Sequence, residues 1–177
     1  DQLLHLEGLL GLRALDLWGS RVTGEGMRHL RHLQSLRYLA IAPEFQDPNL
    51  LPSDDDLAHL RNLAGLEVLR VGAGRLTGIG LRHLRHLSRL LWLDLDIGSS
   101  FSADGWAQLS ELRGLQGLEL GLSNARDEDL AHVGTLTSLQ ELNLCGCPLI
   151  EGQGLALLKG LDDLRVLHLN SDGIREP

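Results

Sequence analysis

Leucines recur along this chain in two alternating periods. The pattern L-x-x-L-x-L begins at Leu12, Leu36, Leu66, Leu90, Leu115, Leu139 and Leu164, at intervals of 24, 30, 24, 25, 24 and 25 residues. Its last two leucines are two apart, the spacing of a short strand whose side chains alternate between faces. Between these segments the spacing changes to three, as at Met27, Leu30 and Leu33, which predicts a helix with one apolar stripe. Strands are therefore expected to start near Ala14, Tyr38, Val68, Trp92, Gly117, Glu141 and Val166. Gly19, Gly72–Gly74 and Gly146 mark the turns, and Thr23, Thr77 and Ser102 are placed to cap the following helices.

The repetition extends to whole segments. Thr23-Gly24-Glu25-Gly26-Met27-Arg28-His29-Leu30-Arg31-His32-Leu33 returns as Thr77-Gly78-Ile79-Gly80-Leu81-Arg82-His83-Leu84-Arg85-His86-Leu87. A unit of about 24 residues buries too little apolar surface to offset its own ordering entropy. Stacked units supply the missing burial, so a rod held by nearest-neighbour contacts follows. The long interval carries an insertion over 43–53, whose Phe45, Leu50 and Leu51 either fold back over the edge of the rod or contact a partner.

These residues resemble leucine-rich repeats over essentially the whole chain. The sixth unit is the nearest match: Leu139-Gln140-Glu141-Leu142-Asn143-Leu144-Cys145-Gly146-Cys147-Pro148-Leu149-Ile150, then Gly154-Leu155-Ala156-Leu157-Leu158. It is similar to the cysteine-containing subclass, with Cys147 at the inward turn position. The other units carry Ser20, Gly74, Gly98, Ser123 and Asp172 there and look more like related bacterial 24-residue repeats. The resemblance implies an α/β fold, a right-handed horseshoe solenoid with parallel strands on the concave face and short helices on the convex face. It also implies partner binding, mostly by the concave face. Eukaryotic relatives often serve ubiquitin-ligase adaptors, but no F-box-like segment is present here.

On that fold, 1–177 is one repeat domain. Leu3, Leu6 and Leu9 fill the helix positions of a unit whose strand would precede Asp1, and the strand at 166–170 is followed only by Gly173-Ile174. The chain thus reads as a domain cut from a longer protein, able to self-associate through uncapped ends.

Alternation places three residues of each unit on the concave surface: Ala14/Asp16/Trp18, Tyr38/Ala40/Ala42, Val68/Arg70/Gly72, Trp92/Asp94/Asp96, Gly117/Glu119/Gly121, Glu141/Asn143/Cys145 and Val166/His168/Asn170. Trp18, Tyr38 and Trp92 are candidate interface anchors, the alternative being ordinary cross-strand packing. Trp106 takes a helix-stripe position and belongs to the core. Asp94, Asp96, Glu119 and Glu141 form an acidic patch bordered by Arg70, which is placed to pair with Asp94, and by His168. The patch is either a seat for a basic segment of a protein partner or a solvated acidic face.

Charge supports the first choice. The formal net charge is -8; residues 1–90 hold 11 arginines and 10 acidic residues, whereas 91–177 hold 5 basic and 14 acidic ones. Neither nucleic acid nor an anionic membrane suits that balance. Cys145 and Cys147 are too close in sequence for an unstrained bridge, so both are expected as thiols, Cys145 exposed, in a cytoplasmic protein. One lysine among 16 basic residues suggests a bacterial source.

On the convex side His5, His29, His59, His83 and His132 form a column, with His32 and His86 beside it. They are expected to pack between helices, with a pH-sensitive ridge as the alternative and no metal or other cofactor implied. No phosphate-binding glycine loop and no nucleophile–base chain is found. The expected function is a protein–protein interaction module, not an enzyme. The alternatives are a recognition domain attached to an enzyme, such as a ligase-type effector, and a passive scaffold.

Overall fold

The computed structural model describes residues 2–42, 51–72, 75–95 and 100–169. Asp96, Asn170, Gly74, Gly98, Asp172 and residues 43–50 of the insertion, Phe45 and Leu50 included, lie outside them.

The described strands form one parallel sheet in chain order: β1 (Ala14–Asp16), β2 (Tyr38–Ile41), β3 (Val68–Val71), β4 (Trp92–Asp94), β5 (Gly117–Glu119), β6 (Glu141–Asn143) and β7 (Val166–His168). Each starts at the residue that the leucine pattern predicts. The register has no slip, pairing Ala14 with Tyr38, Tyr38 with Val68, Val68 with Trp92, Trp92 with Gly117, Gly117 with Glu141 and Glu141 with Val166. Backbone bonds lock the entry to each rung: the carbonyl of Arg13 accepts from both Arg37 and Tyr38, and Leu91 likewise serves Gln116 and Gly117.

The return segments are thinner than the leucine stripe suggests. Most are 3₁₀ turns, at Gln2–Leu6, Glu25–Leu30, Asp56–Leu60, Ile79–His83, Asp127–Asp129 and Gln153–Leu158; true α-helix appears in α1 (Ala103–Leu109) and α2 (Leu130–Val133). A 3₁₀ turn advances about 2.0 Å per residue against 1.5 Å for an α-helix, which suits short segments that must span the unit. Leu30, Leu33, Leu36, Leu39, Leu60, Leu63, Leu66, Leu69 and their counterparts up to Leu142 are buried between sheet and turns, whereas in the last unit Leu164 is half-buried and Leu167 is exposed. Trp106 lies in this core at 2% exposure, its ring 4.9 Å from that of Phe101.

The caps divide. Thr23 and Ser102 do accept from the backbone N–H groups of Gly26 and Gly105. Thr77 does not cap its own turn. Its hydroxyl donates to Asp54, and the Asp54 carboxylate takes the N–H of Gly80 at 2.7 Å, so the cap comes from the preceding unit.

In the turns after β1, β5 and β6 one residue takes a left-handed conformation. Gly19 (φ 70°) and Gly146 (φ 72°) supply it, but in the fifth unit the position is Leu122, at φ 57° and 59% exposed. A leucine there carries a Cβ–carbonyl clash of about 1–2 kcal/mol and buries little in return. Leu122→Gly is expected to raise the unfolding free energy by about 1 kcal/mol, read from the midpoint of chemical denaturation. Equal or lower stability would show that Leu122 contributes packing worth more than its strain.

Candidate functional site

Side chains of β4, β5, β6 and β7 meet on the open face of the sheet. Trp92 is half-buried, and its six-membered ring lies down over the adjacent strand. A Cβ added at Gly117 would fall 2.1 Å from the Trp92 Cε3 atom, so the absence of a side chain at Gly117 is what admits the ring. The indole N–H is buried with no hydrogen-bond partner among the described residues. Beside the ring lies a hollow of about 200 Å³ lined by Leu91, Trp92, Gln116, Gln140, Glu141, Arg165 and Val166. Leu91 and Val166 are exposed apolar side chains, so the hollow combines an aromatic, two aliphatic groups, two amides, the Glu141 carboxylate and the Arg165 guanidinium.

The acidic patch is smaller than the sequence suggests. Asp94 was expected on the exposed surface; it is only 7% exposed, and its Oδ2 lies 3.4 Å from Arg70 Nε. Buried and paired with the arginine on the neighbouring strand, the carboxylate is no steering charge. Glu119 and Glu141 remain half-buried and open to the face. Glu119 accepts a bond of 3.0 Å from the Asn143 amide, which in turn accepts from the N–H of Cys145, so its orientation is fixed. His168 stands 3.5 Å from Glu141.

Arg70, Trp92, Asp94, Glu119, Glu141 and His168 thus form one connected group across five strands. Trp18 and Tyr38 do not join it. They stand on and beside β1 and β2, roughly 10–15 Å from Trp92 at about 4.8 Å per strand, with Trp18 48% exposed and Tyr38 half-buried. Four residues of the hollow were missed: Leu91, Gln116, Gln140 and Arg165. All occupy the first x of L-x-x-L-x-L, a further column of the face whose signal was the repeat phase itself. The same column pairs Arg37 with Glu67 at 3.0 Å.

Cys147 is fully buried at the inward turn, with Sγ donating to the Leu120 carbonyl at 3.3 Å and touching the Ser123 hydroxyl. Cys145 is half-buried, not exposed, because its turn is tied back to Asn143; both are free thiols. In the histidine column His29 is buried, His59, His83 and His132 are half-buried and His5 is exposed. Among the described residues no cluster of His, Cys, Asp and Glu is arranged for a metal ion. No helix among them is long and apolar enough to cross a membrane.

An in-register parallel sheet, short return segments and a continuous leucine core define a leucine-rich-repeat solenoid. Solved structures with this fold include internalin C2 of Listeria monocytogenes (22% identity, TM-score 0.70, covering 93% of this chain and 64% of that one) and an internalin F of the same organism (22%, 0.60, 98% and 51%). A leucine-rich-repeat protein of Leptospira interrogans is similar too (22%, 0.65, 92% and 38%). The chain therefore spans less than two thirds of the length of each. No protein-family model and no curated protein sequence matches it.

Proposed function

We propose that this solenoid is a protein-interaction module of a larger bacterial protein, which binds a basic segment on the concave sheet face at Trp92, Glu119 and Glu141. The observation that carries this reading is the Trp92 ring laid over Gly117 beside the hollow, with two carboxylates on the next two strands. An arginine or lysine side chain entering the hollow meets an aromatic face and the Glu141 carboxylate, and it takes the side of the hollow away from Arg165. The carboxylates steer and orient; the indole, Leu91 and Val166 supply desolvated area. The sixth unit, with its buried Cys147 thiol, is the one we assign to the cysteine-containing repeat type. Binding, not catalysis, is the role we assign to the chain.

The test is a calorimetric titration of the chain with short arginine-rich and glutamate-rich peptides at two ionic strengths. The basic peptide is expected to bind and to weaken as salt rises, because exposed charges are screened beyond about 8–10 Å at physiological ionic strength. Trp92→Ala is expected to cost about 2 kcal/mol, and Glu119→Lys with Glu141→Lys to reverse the salt trend. Asp94 is unsuitable for charge reversal, since its buried pairing with Arg70 is structural. Affinity unaltered in both variants sinks the proposal.

A further inference from the structure

The motif Arg-His-Leu-Arg-His occurs twice on the helical side, at 28–32 and 82–86. In both copies each arginine donates its Nε–H to the Nε2 of the next histidine, at 3.3 and 2.9 Å in the first and 3.3 and 3.2 Å in the second. These bonds assign the proton of each neutral imidazole to Nδ1. They use one N–H of each arginine and leave its two Nη groups for other partners.

The surroundings of the two copies differ. In the first, Glu25 pairs with Arg28, and Glu7 from the preceding unit takes the Nδ1 of buried His29 at 2.6 Å. That hydrogen bond from His29 holds the Glu7 carboxyl below the usual glutamate range. In the second copy the repeat register puts Ile79 where Glu25 stands and Arg61 where Glu7 stands. One carboxylate is lost and another becomes a guanidinium, a change of three charges at equivalent positions.

The outcome is a hollow of about 220 Å³ lined by Arg61, Arg82, His83, Arg85 and His86, with no carboxylate in its wall. None of the three arginines forms an ion pair among the described residues. Burial first, then the charges of Arg82, Arg61 and Arg85, push the His83 pKa below its ordinary value; Asp55 opposes them. His83 is thus neutral near pH 7, and no carboxylate is ion-paired with these arginines among the described residues. Guanidinium forks match the oxygens of a tetrahedral dianion, to which they donate in pairs.

We infer that this hollow is a binding site for a phosphoryl oxyanion, held by Arg61, Arg82 and Arg85, with His83 and His86 as further donors. A single phosphoryl group fits better than a nucleic-acid strand, because a chain of net charge -8 repels an extended polyanion. The first copy of the motif, neutralised by Glu7 and Glu25, serves as an internal control.

The experiment follows the imidazole proton resonances of His29 and His83 in the full chain during titration with inorganic phosphate, with a phosphoserine peptide and its unphosphorylated form, and with acetate at matched ionic strength. His83 is expected to shift saturably with phosphate, with its titration midpoint raised, while His29 stays in place. Arg61 is exposed, so Arg61→Glu keeps the fold; restoring the first copy's carboxylate should weaken phosphate binding at least about ten-fold. Phosphopeptide binding tighter than inorganic phosphate places the group on a protein partner, and weaker binding places it on a small molecule. Equal shifts at His29 and His83, an acetate response that matches phosphate, or an unaltered response in Arg61→Glu overturns the assignment.

Discussion

Trp106→Ala is expected to cost about 3–5 kcal/mol of unfolding free energy. Trp106 fills the leucine-stripe position of α1, is 2% exposed and stacks at a tilt on Phe101. Truncation removes the largest side chain of the core, and the surrounding leucines belong to rungs fixed by their own ladders, so little collapse into the void is available. In a solenoid the damage is not shared around a common core, because each unit touches only its neighbours. α1 packs on the Ile79–His83 turn before it and on α2 after it, and it joins β4, which carries Trp92, to β5, which carries Glu119. The variant should therefore split one cooperative transition into two, one for each side of the fourth unit. Circular dichroism during urea denaturation reads both the loss and the splitting. A single transition with a loss under about 1 kcal/mol would show that this unit is not a mechanical link between its neighbours.

The same locality governs what the sequence disclosed. Whether a residue of a three-residue strand points inward or outward depends on alternation alone, so the first residue of every rung was legible from L-x-x-L-x-L. The in-register parallel sheet follows from equal repeats. What depends on lateral neighbours was not legible. Asp94 looks like an exposed acid in its own unit, but it is buried and lies against Arg70 of the neighbouring strand. Trp92 looks like a projecting anchor and lies flat only because the residue facing it on β5 is glycine. The cap of the fourth turn comes from Asp54, 23 residues before Thr77, where no local signature points. The 3₁₀ form of the returns was missed because a spacing of three suits both helix types.

Glycine was read too narrowly as well, and Gly105 shows the consequence. Gly105→Ala is expected to destabilise the chain by about 3 kcal/mol or more, while Gly114→Ala is close to neutral. Propensity alone predicts the opposite for Gly105, since alanine in a helix is favoured over glycine by about 1 kcal/mol. Sterics override it. A Cβ on Gly105 would fall 2.0 Å from the backbone carbonyl oxygen of Thr77 and 2.9 Å from the Cα of Gly78, atoms that cannot rotate away. Gly80 and Gly154 meet the backbone of the preceding unit in the same way, at 2.5 Å from the Asp54 carbonyl oxygen and 2.4 Å from that of Asp127. These glycines let one return segment lie directly on the last, which keeps the thin turns in step with strands about 4.8 Å apart. Relief requires the third and fourth units to separate, and that breaks the Ser102 N–H to Thr77 carbonyl bond of 2.9 Å between them. At Gly114 the nearest such atom would be 3.8 Å away, an ordinary contact, so only the small gain from a less flexible unfolded chain remains. Urea midpoints of the two variants, taken side by side, separate the explanations: losses of similar size would mean that backbone freedom, not close approach, is what glycine supplies at Gly105.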